Sequence, residues 1–180
     1  DGSFTTTITL TVENFGAVDL GDVQVTDNLS TFGTFVSLGQ LDQEDEYNVS
    51  TPQITDNSTN SLTVNSSFNG GSDTKLLDVP AGGTLAVGED IVITFDLTFI
   101  PSQDAYENRA DATGDVPANA DPVNSAAGDG PDTEDDSEDG PDPDPNEDDD
   151  PDEESPTPID PDDKPIAVDD TETTDENTPV

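Results

Sequence analysis

The sequence predicts an all-β protein, an immunoglobulin-like antiparallel β-sandwich followed by an extended acidic segment rich in proline and aspartate. Three observations carry this. Short stretches alternate apolar and polar residues with the period of two that half-buried strands require. Gly, Asn, Asp, Pro and Ser separate them at intervals of roughly ten residues, as turns do. No window repeats with the helical period of 3.6 residues, so helices are expected to be nearly absent.

The first strand is FTTTITLTV, where Phe4, Thr6, Ile8, Leu10 and Val12 share one side and Thr5, Thr7, Thr9 and Thr11 the other. ENFG turns the chain, and AVDLGDVQVTDNL supplies a second strand with Val23 and Val25 inward and a reversal at Asp27-Asn28. Shorter pieces follow at Thr34 to Leu38, Ser61 to Phe68, Leu76 to Val79 and Thr84 to Val87. The strongest strand is DIVITFDLTFI from Asp90 to Ile100, with Ile91, Ile93, Phe95, Leu97 and Phe99 on one face and Pro101 at its end. After Tyr106, Asn108, Ala110 and Ala112 alternate with Arg109, Asp111 and Thr113, and these small inward residues predict a close approach of two sheets. A last, weak strand is expected near Pro122 to Ala126. About seven to nine short strands over residues 1–128 correspond to a two-sheet sandwich of immunoglobulin type.

From Asp129 to Asp163 the pattern stops. Roughly half of that run is Asp or Glu, Ile159 is its one large apolar side chain, and no Lys or Arg interrupts it. Neither a core nor internal ion pairs can offset its ordering entropy, which leaves an extended, self-repelling linker or a segment ordered by cations. Extended as polyproline II it would reach on the order of 100 Å. The predicted organisation is a sandwich over 1–128, an acidic linker over 129–163, and the start of a following sandwich repeat over 164–180.

Composition narrows the partners. The 180 residues carry 44 acidic and 3 basic side chains, Lys75, Arg109 and Lys164, for a formal charge of −41. Such a field repels nucleic acid and anionic membrane surfaces and attracts metal cations or basic proteins. An acid-rich surface also keeps proteins of salty habitats solvated. Cysteine and histidine are absent, which removes thiolate metal sites, disulfides and the usual general base and thiol nucleophile. No apolar run approaches 18 residues, so no membrane-spanning helix is expected. With Asp1 at its start and no export signal, the sequence reads as an internal stretch of a longer protein.

GAVDLGDVQVTDNL, followed about eighty residues later by YENRADATGD, resembles the conserved-repeat domain found in tandem in large bacterial surface proteins. Members of that family show an asparagine-glycine turn, a V-x-V-x-D strand and a closing N-x-A-x-A-x-G strand. This chain departs from it in having Asn14-Phe15-Gly16 at the turn. The tail KPIAVDDTETTDENTPV resembles the opening of the cadherin-like repeats of giant adhesins. Together the resemblances imply an exported, repeated, non-catalytic architecture.

The acidic run suggests calcium, because hard cations take oxygen ligands. Asp142-x-Asp144-x-Asn146 reproduces the first three ligand positions of a calcium loop, Asp148 and Asp150 the seventh and ninth, and Glu153 the twelfth. Glu147 replaces the usual glycine at the sixth position and Pro143 and Pro145 interrupt the series, so an EF-hand is disfavoured. The run is closer to thrombospondin type three repeats, which it resembles. Asp129, Asp132, Asp135, Asp136 and Asp139 offer a second cluster. The plainer alternative is a solvated acidic spacer.

Enzymatic chemistry has little to stand on. Glu44 and Glu46 lie in LDQEDEYN, read as a polar loop, without the cleft that raises one carboxyl of a glycosidase pair. Sugar sites usually present aromatic platforms, whereas here Trp is absent and Tyr occurs twice. The threonine row is read as an ordinary exposed strand face. Lys75 could in principle join an asparagine in an amide crosslink, but after Gly70-Gly71 it is expected to be exposed. The expectation is thus a non-enzymatic stalk module of a secreted bacterial adhesin or filament, of gliding-motility or biofilm type, at the cell surface. Its partners would be neighbouring repeats, other surface proteins or glycans, and several calcium ions would stiffen its linker. The competing expectation is a ligand- or carbohydrate-binding tip domain.

Overall fold

The computed structural model describes residues 2–36, 41–56, 62–78, 83–116, 133–137, 139–140 and 155–161. Their strands are β1 (Phe4–Glu13), β2 (Leu20–Asp27), β3 (Thr34–Phe35), β4 (Glu46–Val49), β5 (Gln53–Asp56) and β6 (Thr84–Leu85). The later ones are β7 (Asp90–Phe99), β8 (Tyr106–Asn108), β9 (Ala110–Asp115), β10 (Thr133–Asp136) and β11 (Thr157–Ile159). The one helical turn among the described residues is the 3-10 segment Leu29–Phe32, where the Asn28 side chain accepts the Ser30 N–H.

The chain is all-β, and its inward faces form one core as in a β-sandwich. One sheet runs β1-β7-β4-β3, with β5 also beside β7; a second runs β10-β9-β2-β6; β8 and β11 form a short third. All ladders are antiparallel except β3 with β4. β1 and β7 pair over their whole length, from Phe4 opposite Phe99 to Glu13 opposite Asp90. The alternation dictates this register, since a slip of one residue would turn every apolar side chain outward. Ile91, Ile93, Phe95, Leu97 and Phe99 are all buried, and Thr5, Thr7 and Thr9 are exposed. Phe4, Phe32 and Tyr106 surround Phe99 with ring centroids 5.5, 5.1 and 4.9 Å away. The Tyr106 hydroxyl accepts the N–H groups of Ser102 and Gln103 at 2.8 and 3.2 Å, which ties down the connection from β7 to β8.

Several local expectations are revised. LDQEDEYN is not a loop throughout, because β4 begins within it and buries Tyr47. The Glu46 carboxylate accepts the N–H groups of Asp42 and Gln43 at 3.0 and 3.1 Å and so closes the preceding turn. Conversely, Ser61 to Phe68 and Leu76 to Val79 form no strand among their described residues, only the single bridge Val64 to Leu77, with a second bridge from the adjoining Lys75 to Thr26. Asparagines compete with the ladder there. Asn65 Nδ2 donates to the Lys75 carbonyl at 2.9 Å, and Asn69 Oδ1 accepts from Gly71 and Asp73. Leu62, Phe68, Leu76 and Leu77 still enter the core. The predicted strand near Pro122 to Ala126 lies outside the described residues.

The largest departure concerns the acidic run. Thr133 to Asp136 pairs with β9, with Asp136 opposite Asp111, and Thr157 to Ile159 pairs with β8, with Ile159 opposite Tyr106. Ile159 is 7% exposed and belongs to the core. The Asp139 N–H donates to Ser155 Oγ at 3.2 Å, so the chain returns to the same place on the sandwich after residues 141–154. A single strut of ~100 Å is incompatible with those anchors. Backbone pairing and one apolar contact supply here what the acidic side chains cannot.

Candidate functional site: an inter-sheet cleft and its acidic wall

β9 shapes the most distinctive region of the surface. Its inward positions are Ala110, Ala112 and Gly114, and these small residues do not draw the sheets together as the sequence suggests. They leave a cleft of about 890 Å³ between β1 on one side and β9 and β10 on the other. Phe4, Leu10 and Val12 line it from β1 and are only partly buried. On the opposite side the strand alternation turns Asp135, opposite Ala112, toward the cleft, and sets Asp111, Glu134 and Asp136 on the outer face of β9 and β10.

Charges on that outer face are close enough to alter one another. The Asp136 carboxyl hydrogen-bonds Asp111 and, with partial burial and the Asp136 charge, raises the Asp111 pKa; the Thr26 hydroxyl and Arg109 oppose this. Arg109 Nη1 donates to Asp136 Oδ2 at 2.9 Å, and Thr26 Oγ1 donates to Asp111 Oδ2 at 3.3 Å.

Asn108 links the cleft to a buried acid. Asp27, the last residue of β2, is 0% exposed, and Asn108, the last of β8, is 4% exposed. Asn108 Nδ2 donates to Asp27 Oδ2 at 2.9 Å, while the Oδ1 atoms of both residues are buried without a hydrogen-bond partner. Burial pushes the Asp27 pKa up to about 7; the Asn108 hydrogen bond pulls it down and the Asp111 charge raises it further. The Tyr47 hydroxyl, which donates to the Asn69 carbonyl at 3.0 Å, is pushed up to about 12 by burial and by the Asp27 charge.

Of the predicted calcium ligands, the described residues include Asp135, Asp136 and Asp139. They do not form a cage. Asp135 and Asp136 are successive strand residues pointing to opposite faces, and Arg109 already engages Asp136. No group of three or more acidic side chains among the described residues is arranged to hold a metal ion. Asp129, Asp132, Asp142, Asp144, Asn146, Asp148, Asp150 and Glu153 lie outside those residues, between or beside the anchored pieces. Lys75 is exposed, and its place opposite Thr26 in the bridge gives it the strand face opposite to that of Asp27.

The Asp27–Asn108 pair was not singled out from sequence, although a signal exists. Asp27 continues the alternation of Val23 and Val25, and Asn108 precedes Ala110 and Ala112 in the same phase, so both positions point inward. Comparison with protein-family models, curated proteins and solved structures gives no match.

Proposed function

We propose that this chain is a non-enzymatic structural module of a large secreted bacterial surface protein, an immunoglobulin-like sandwich that serves as a stalk unit. The strand pairing supports the immunoglobulin-like reading: β1, β7 and β4 make one sheet, β9, β2 and β6 the other, and a tyrosine hydroxyl fastens the crossing between them as in a tyrosine corner. The resemblances of VQVTD and NRADATG to a bacterial surface repeat, and of the tail to adhesin repeats, supply the setting. Neighbouring repeats of the same polypeptide are the natural partners.

Calcium is the proposed cofactor, and the anchoring of the acidic run is the observation that carries this reading. β10, β11 and the Asp139–Ser155 hydrogen bond bring both ends of residues 141–154 to one place. That excursion holds the D-x-D-x-N spacing of Asp142, Asp144 and Asn146, and closing it concentrates carboxylates that repel one another unless cations neutralise them. Calcium bound there stabilises β10 and β11 and thereby the junction with whatever follows. With a dissociation constant of about 0.1 to 1 mM, as in extracellular modules, 10 mM calcium would add about 1.4 to 2.7 kcal/mol.

Calorimetric titration and thermal unfolding test this. The expected result is a saturable heat of binding and a rise in melting temperature of several degrees that sodium chloride of equal ionic strength does not reproduce. Asp144→Asn with Asp148→Asn should remove both. A chain that melts at the same temperature with and without calcium would end the calcium proposal.

The tip-domain alternative receives less support. Both tyrosines are buried, and the exposed large apolar residues among those described are Phe35 at 38% and Val87 at 48%, which make no aromatic platform.

A further inference from the structure

We propose that the Asp27–Asn108 pair is a proton-operated latch for the acidic run: a proton held between the two side chains keeps β8, and with it β11, on the sandwich, and loss of that proton releases them. The latch does not rest on the calcium reading.

The topology leaves β8 in need of a fastening. Among the described residues its backbone ladder is with β11 and with no strand of the two larger sheets. The β2–β9 ladder stops at Asp27 opposite Ala110, where β2 gives way to the 3-10 segment Leu29–Phe32. Side chains therefore hold β8 in place. Tyr106 does so at its start, through Phe32, Phe99 and the Ser102 and Gln103 N–H groups, and Asn108 at its end, through Asp27. β11 follows β8, because Thr157 is in register with Asn108 and Ile159 with Tyr106.

The pair is complete only with the proton. Asn108 Nδ2 donates to Asp27 Oδ2 at 2.9 Å, which leaves one oxygen on each side chain buried and without a donor. A protonated carboxyl supplies the O–H that those oxygens lack. An ionised one offers acceptors only, and its charge, buried beside them, must be hydrated or paired.

The surroundings favour the neutral acid. β9 presents Asp111, whose negative charge acts on Asp27, while Arg109 engages Asp136. β4 presents the Tyr47 hydroxyl, which donates to the Asn69 carbonyl. In the segment before the Lys75 bridge, the Asp73 carboxylate accepts from Asn65 Nδ2 and the Lys75 N–H, and Lys75 itself takes the opposite face. Glu107 is exposed on the other side of β8, and the 3-10 segment carries no charge. Hydrating an ionised Asp27 means moving Asn108 away from it, and β8 is the element that neither large sheet retains. Thr157 then loses its ladder partner, and the self-repelling acidic run has one anchor fewer, while β10 stays on β9.

The test uses the full chain with a chelator present. Amide exchange is read by NMR, corrected for intrinsic rates, from pH 5.5 to 8.5, and the Asp27 carboxyl carbon is followed in the same samples. Ordinary carboxyls ionise near pH 4, so self-repulsion of the run is complete by about pH 5.5 and the interval above it reports Asp27. The opening constant of β8 and β11 amides should rise about tenfold per pH unit up to about 7 and level off where Asp27 titrates. Low urea should leave that exchange unchanged while accelerating exchange in β7, as a local opening requires. Asp27→Asn should remove the rise, and Asp111→Asn should keep it but end it at lower pH. Level exchange in β8 and β11 while the Asp27 carbon titrates would overturn the proposal. So would a rise retained in Asp27→Asn, a rise lost in Asp111→Asn, a urea dependence equal to that of β7, or β11 amides unprotected at every pH. If Asp27→Asn does not fold, the parent decides, because its opening and its Asp27 titration must share one midpoint.

Discussion

Asn108 Nδ2 donates to Asp27 Oδ2 at 2.9 Å inside the core, joining the end of β2 to the end of β8. The two motifs that carry the resemblance to surface repeats, VQVTD and NRADATG, thus meet through their polar residues. Each side chain retains a buried oxygen without a donor. A protonated Asp27 supplies an O–H that the ionised form lacks, and burial favours that form by raising the pKa to about 7.

The pair therefore predicts a specific pH dependence of stability. The folded-state pKa lies above the ordinary value of 3.8, so the folded chain holds a proton that the unfolded chain has released. The stabilisation from this group is complete below about pH 4, declines as pH rises toward 7, and has gone above it, a change of on the order of 4 kcal/mol. Asp27→Asn keeps a donor and an acceptor at the site but cannot ionise, so the difference between variant and parent should grow across that window in the variant's favour. Urea unfolding at pH 5, 7 and 8.5 measures it. A constant difference at all three pH values would remove Asp27 as the titrating group.

Tyr106→Phe isolates the hydroxyl that fixes the connection between β7 and β8. The ring remains stacked on Phe32 with centroids 5.1 Å apart, but the Ser102 and Gln103 N–H groups lose their acceptor. The expected cost is about 1 to 2 kcal/mol, less if water replaces the hydroxyl. A lowered denaturation midpoint with an unchanged slope would show that the loss is local and the folded state otherwise intact.

Much of this fold is legible in the sequence because burial imposes a period. β1 and β7 obey strict alternation over ten residues each, and their faces and lengths follow from it. Alternation fails where backbone pairing alone makes the strand. β10 reads Thr-Glu-Asp-Asp and β11 Thr-Pro-Ile, and neither carries an apolar face long enough to reveal itself. β4 is hidden for a related reason, since Tyr47 and Val49 follow five acidic or amide residues, Asp42 to Glu46, that set the local composition. Of the site, the inward phase of Asp27 and Asn108 could be read from spacing. Their contact could not, because 80 residues separate them and pairing across that distance depends on the whole sheet order.

Ile159 tests whether the acidic run belongs to the folded unit. Its side chain packs in the core beside Tyr106, which β11 places opposite it. Ile159→Ala should cost about 2 to 4 kcal/mol if that end of the sandwich cannot collapse around the cavity, whereas Thr133→Ala, at an exposed position, should change stability by less than about 0.5 kcal/mol. Truncation after residue 128 should destabilise the sandwich more than Ile159→Ala, because it removes both β10 and β11. If truncated and full chains unfold at the same urea concentration, the acidic run is only appended to the sandwich.

Gly33 and Gly88 separate strain from steric exclusion. Both have positive φ, +118° and +68°, where an L side chain costs on the order of 1 to 2 kcal/mol. A Cβ at Gly88 meets nothing within 4 Å, so Gly88→Ala should cost little beyond that strain. A Cβ at Gly33 would lie 1.9 Å from the Asp45 carbonyl oxygen. That oxygen cannot simply retreat, because it accepts the Thr34 N–H at 2.7 Å where β3 begins to run parallel to β4. Gly33→Ala must therefore break the β3–β4 junction and expose Tyr47, which Phe35 covers from β3 with ring centroids 5.9 Å apart. Thermal unfolding should show a markedly larger loss for Gly33→Ala than for Gly88→Ala, accompanied by increased quenching of Tyr47 fluorescence in a Tyr106→Phe background. Equal losses would mean that β3 is not held where its hydrogen bonds place it.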